Sequence, residues 1–242
     1  LLICELNGFL EEIGIERSGL GSILATNIIM IAIVVIGGRV TPNFTRNYLQ
    51  LKNSTYIISK STYIEKPAYL LIILNALVDL FMPHSNLSYA IAFLAGAVHL
   101  WRLSGWGGLK VLDNPIVWVL HLGYLWLVIA LLLKGLEGIF NLPYNYYLHS
   151  FTVGTIGLYM IGIMSRAALG HTGRTLIVSH LITAAYLLLL GAVIIRSFAP
   201  FLGSYSNSAM LVTTIFWSVA YFLYVWVYFP ILIQPRVDGK PG

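Results

Sequence analysis

Asn114-Pro115-Ile116-Val117-Trp118-Val119-Leu120-His121-Leu122-Gly123-Tyr124-Leu125-Trp126-Leu127-Val128-Ile129-Ala130-Leu131-Leu132-Leu133-Lys134-Gly135-Leu136 holds one histidine and no charged side chain before Lys134. About 20 mostly apolar residues cross about 30 Å of hydrocarbon as a helix, and this run has that length and character. Segments 20–38, 66–82, 87–103, 144–168, 176–198 and 206–233 resemble it. Together they predict an all-α, polytopic transmembrane bundle of about seven spanning helices, forming a single membrane domain in contact with lipid. Composition agrees: of 242 residues, 58% are hydrophobic and 10% charged, where a soluble domain carries about 25% charged residues. Residues 39–65 are polar, basic and interrupted by Pro42, and they read as the longest connection.

Charge orients the bundle. Eleven of the fourteen Lys and Arg fall on loops 39–65, 104–113 and 169–175, on the helix ends beside them, or on the C-terminal tail. Only Arg17, Lys134 and Arg196 belong to the opposite face. Such a bias marks the basic face as cytoplasmic. Six of the nine acids (Glu5, Glu11, Glu12, Glu16, Asp79 and Glu137) lie towards the opposite face. Because the basic residues sit between membrane segments, the net charge of +5 does not point to nucleic acid. Cys4 is the only cysteine, which excludes an internal disulfide or a cysteine-based metal cluster. The chain opens at Leu1 in mid-pattern, and it reads as a fragment that lacks its N-terminal part.

Polar side chains in a bilayer interior are expensive, and one retained there serves a ligand, an ion path or a partner helix. Five of the six histidines lie in or at the ends of apolar stretches. His99 falls near the basic end of the third span, and His121 is two turns into the fourth, roughly 10 Å at 1.5 Å per residue. His171 follows the fifth span and His180 opens the sixth, so these four share the basic half of the membrane. His149 belongs to the far end of the fifth span, with His84 in the loop beside it. About 33 Å of continuous helix would separate His149 from His171, too far to ligate one metal.

Imidazoles converging from several helices suit iron, copper or zinc. A haem iron could be held by His99 with His121, or by His121 with His180. Its propionates would need cations at the water boundary. Arg102, three residues after His99, and Arg166 and Arg174, flanking His171, offer forks suited to carboxylates. Trp101, Trp106 and Trp118 fit an interfacial belt or a cofactor wall. Asp79, Lys134, Glu137 and Arg196 fit snorkelling or pairing at the far boundary, and Asn27 and Asn75 fit bonds across helices. No phosphate loop, His-Glu-x-x-His tract or nucleophile elbow occurs, and carboxylates near the four histidines are scarce. The alternative is a transporter or channel for a small solute or metal ion, which would string histidines along the membrane depth.

Four tracts resemble the NnrS family of bacterial membrane proteins: Gly38-Arg39-Val40-Thr41-Pro42-Asn43-Phe44-Thr45-Arg46-Asn47, the stretch His121 to Leu127, the stretch His149 to Gly157, and Ser165-Arg166-Ala167-Ala168-Leu169-Gly170-His171-Thr172-Gly173-Arg174. The resemblance implies a multi-pass protein of the bacterial inner (cytoplasmic) membrane. It would contain haem (haem b) and copper, respond to nitric oxide and nitrosative stress with nitric oxide as a ligand, and have no defined turnover reaction. Such proteins have about twice as many spans, so this chain would be the C-terminal half, partnered by the N-terminal half. The family-like positions are His121, His149, Arg166, His171, Arg174, Arg39 and Arg46. His121, His149 and His171 are the expected metal ligands; His99 and His180 come from depth alone.

Overall fold

The computed structural model describes residues 20–58, 62–143 and 145–239. Cys4, Arg17, Lys60, Tyr144, Lys240, Glu5, Glu11, Glu12 and Glu16, which enter the sequence reading, lie outside them.

Seven long helices run through the described residues. They are α1 (Leu20–Leu51), α2 (Thr62–Phe81), α3 (Asn86–Ser104), α4 (Pro115–Phe140), α5 (Asn145–His171), α6 (His180–Phe198) and α7 (Ser206–Leu232). Six are long and apolar enough to cross a membrane; α2, which carries Glu65, Lys66 and Asp79, is the other. Local chemistry sets several ends. Ser85 and Ser179 cap α3 and α6 by accepting from the Ser88 and Ile182 amides. Pro115 opens α4, where a missing N–H is harmless, and Asn141 at φ 50° closes it.

α4 is the central element, packed on α1, α3 and α5, and two thirds of its span is buried. That position explains why its sequence is apolar on every side. α5 joins α4 to the α6–α7 pair, and α2 packs on α1 and α3. The middle of α5 widens into a π-helix over Ser150–Ile156.

Two expectations are corrected here. The first span does not end at residue 38, and residues 39–51 are helix rather than connection. Pro42, Thr41 and Thr45 look like an exit from the membrane when polarity is counted. In the fold all three are buried against neighbouring helices, which accept the polar groups of a proline-containing turn. Trp106 is the second: it is fully buried, not a belt residue, whereas Trp101 is exposed.

The two faces stay separate. Lys52 and Tyr48 bind Asp113, Arg174 binds Gln234, and the Val237 amide donates to the Thr172 carbonyl at one end. His84 pairs with Glu137, and Arg196 with His149, at the other.

Candidate functional site

Two polar clusters are buried in the bundle, one in each half of its thickness. The cluster far from the basic face is built on Asp79 of α2 and Lys134 of α4, which form an ion pair with both side chains buried. Ser88 Oγ donates to Asp79 Oδ1 at 2.6 Å, and the Asn27 and Asn75 amides donate to Oδ2 at 3.1 and 3.2 Å. Asn75 Oδ1 accepts from Lys134 Nζ at 2.8 Å, and the Asn75 amide donates to Asn27 Oδ1 at 3.0 Å. Four helices are thereby cross-linked, and the asparagines do bond across helices.

The cluster nearer the basic face centres on Arg102 of α3, 2% exposed. Its Nε and Nη2 form a fork on Glu65 at 2.9 and 2.5 Å, and Nη2 also reaches Tyr69 Oη at 3.0 Å. Nη1 donates to the Val34 carbonyl at 3.2 Å and to Tyr124 Oη at 2.7 Å. A guanidinium has five N–H groups, and all five are engaged by these contacts. Gly38 makes room for it: a Cβ there would lie 2.0 Å from Arg102 Nη2.

The two buried histidines flank this cluster and are held differently. His99 Nδ1 is 2.7 Å from Tyr124 Oη. That hydroxyl already accepts from Arg102, so its single proton goes to His99 Nδ1. His99 is then the Nε2–H tautomer, with the Ala68 carbonyl as the acceptor beside its ring. His121 differs. Its Nε2 is 2.8 Å from Thr45 Oγ1, a hydroxyl that also reaches the Thr41 carbonyl at 2.9 Å and can donate to it. With Thr45 donating to that carbonyl, Nε2–H donates to Thr45, and the buried Nδ1, which has no partner, keeps its lone pair. Thr41 Oγ1 in turn bonds Tyr159 Oη of α5, which anchors the pair of threonines.

His121 lines a cavity of about 660 Å³ between α3, α4 and the turn Gly108–Lys110. Leu103, Leu122, Leu125 and Trp118 make its walls, and exposed Lys110 is at its rim. A Cβ on Gly108 would lie 2.8 Å from His121 Nδ1, so the glycine lets the turn pack close against the ring.

The other sequence-predicted residues fall elsewhere. His171 and His180 are exposed at the basic face, at the end of α5 and the start of α6, and neither lines the His121 cavity. Arg166 stacks on Phe44 at 3.4 Å, and Arg174 donates to Gln234 with its buried Nη1 unpartnered. At the far end of α5, His149 Nε2 accepts from Arg196 Nη2 at 2.9 Å. Among the described residues, no three His, Cys, Asp or Glu side chains converge as a metal cage. Sequence reading passed over Thr45, Tyr124, Tyr159 and Gly108. The i, i+4 threonine pair in the tract from Gly38 to Asn47 was the one available signal, and it is visible only once α1 is continued through Pro42.

A helical bundle with a buried imidazole turned towards a cavity near its basic face is a polytopic membrane protein. The NnrS protein family matches this chain over residues 2–236, nearly its whole length, and the chain belongs to that family. No curated protein and no solved structure matches it.

Proposed function

We propose that this chain holds a metal cofactor at His121 in the bacterial inner membrane and serves the response to nitric oxide and nitrosative stress. Family membership supports the process. The single observation behind the metal is the buried Nδ1 of His121, which has no partner, on a ring that lines the cavity. A metal-bound histidine donates its other ring N–H to a fixed acceptor, which sets tautomer and orientation. Thr45 is placed to do that for His121.

Haem b suits the cavity. Its volume lies in the range of about 300–1,000 Å³ used by small-molecule sites, its walls are apolar, and Lys110 stands where a carboxylate would emerge. When bound, haem supplies an iron that coordinates nitric oxide or passes an electron. The chain's residues orient the imidazole, keep water from it and offer a cation at the rim. Copper at the same nitrogen is a second reading, with its own support. Nδ1 is flanked by the residue's own Cβ and by the closely packed Gly108 backbone, which favours an ion over the face of a macrocycle.

Absorption spectra and metal analysis of the purified protein, with and without nitric oxide, test both. We expect His121→Ala to lose the porphyrin band, or the copper, while helical content is retained. An unchanged spectrum and metal content would remove His121 from the ligand set. A colourless, metal-free wild type that moves a solute in vesicles would favour a transporter or channel.

A further inference from the structure

A groove of about 380 Å³ opens on the flank of the bundle between α1 and α5, near the basic face. Ile36, Val40 and Phe44 form one wall, at the i, i+4 spacing that places them along one side of α1; Ile163 lies opposite. Arg166 lies in this groove, half-buried, with its guanidinium flat on the Phe44 ring and no hydrogen-bond or ion-pair partner among the described residues. Stacking uses the face of that group and leaves its N–H fork unspent. An arginine so near the hydrocarbon is expensive without an acceptor. The fork matches a phosphate in two-point geometry. Gly170 lines the groove, and nothing stands within 4 Å of where its Cβ would be, so a larger side chain can be placed there. Arg39 and Arg46 are exposed on α1 beside the same wall and add positive charge. The contrast with Arg102 is direct: that guanidinium spends every N–H on protein acceptors.

We propose that this groove is a binding site for an anionic phospholipid of the leaflet at the basic face, its phosphate on Arg166 and one acyl chain against Ile36, Val40 and Ile163. Basic pockets between transmembrane helices recognise lipid head groups in this way. The site is separate from the His121 cavity, with which it shares no lining residue.

The test uses the purified protein in nanodiscs of phosphatidylcholine doped with spin-labelled phosphatidylglycerol or spin-labelled phosphatidylcholine. Wild type should hold the phosphatidylglycerol label in a motionally restricted population about five- to tenfold above the phosphatidylcholine label, the size of effect expected for one or two basic contacts. Arg166→Gln should remove that preference and Arg166→Lys should restore part of it. Gly170→Leu, which adds bulk to the groove lining and leaves the charge in place, should also weaken it and serves if Arg166→Gln does not fold. Equal retention of the two labels by wild type would overturn the proposal, as would a preference that survives both Arg166→Gln and Gly170→Leu. So would loss of the metal or porphyrin signal in Arg166→Gln, because the groove would then belong to the cofactor. Loss of that signal in His121→Ala alone leaves the lipid site standing.

Discussion

The two buried clusters are made of similar groups, yet one is closed and the other is not. Around Asp79 and Lys134, both carboxylate oxygens and both asparagine amides find partners across four helices. Around Arg102 the guanidinium is equally complete, but neighbouring His121 keeps one ring nitrogen with nothing to bind. A buried polar network that satisfies itself cements a bundle, and one that stops short leaves an unpaired group whose presence needs a reason. His121 is the residue that raises the question, because its ring also lines a cavity, whereas the His99 ring is held by Tyr124 and the Ala68 carbonyl.

The largest effect should come from opening the closed cluster. Lys134→Met leaves Asp79 buried and uncompensated, at a cost of about 3–5 kcal/mol. Removing both charges together as Asp79→Leu and Lys134→Met should recover part of that loss. Thermal unfolding in detergent compares the two, and a double variant no better than the single one contradicts the pairing. Gly38→Ala comes next. Its methyl would collide with a guanidinium held on five sides, so we expect about 1–3 kcal/mol of destabilisation. The same substitution made in an Arg102→Ala background should cost much less.

Thr45 gives the sharpest probe of the open cluster. Thr45→Val strands His121 Nε2–H at about 1–3 kcal/mol and releases the tautomer, so any metal bound at His121 should show altered spectra; Thr45→Ser should behave as wild type. Matching spectra for all three would mean that Thr45 does not orient the ring. The smallest effect lies at the surface. Lys52, then Tyr48, hold the Asp113 carboxyl below its usual range. A lowered folded value stabilises above the unfolded one, near pH 4, and that contribution fades as pH falls through the folded value. A carbon-detected titration of Asp113 should show the depression and its loss in Lys52→Met, with the buried clusters undisturbed. A midpoint near pH 4 in both proteins would refute it.

Much of this fold could be read from residues in order. Apolar run length located the helices, and the Lys and Arg imbalance separated the loops the structure brings together at one face. The exception was α1, because counting polarity cannot distinguish Thr41 and Thr45 facing a tyrosine and an imidazole from the same residues facing water. The site was less legible. Depth correctly brought His99 and His121 into one half, but depth does not encode rotation about a helix axis. His171 and His180 share that half and are exposed. Arg102 next to His99 read as a spare cation, and only the remote Glu65 and Tyr69 reveal that it is spoken for.

The wide turns of α5 act as a phase setting for everything after them. Ser150–Ile156 winds with i→i+5 bonds, and Tyr159 lies just beyond. Letting the segment tighten to ordinary winding with no residue removed would swing the rest of the helix by about 100°. Tyr159 would turn away from Thr41 and Arg166 from Phe44 in the same stroke, so one dial, far from either cavity, keeps both in tune.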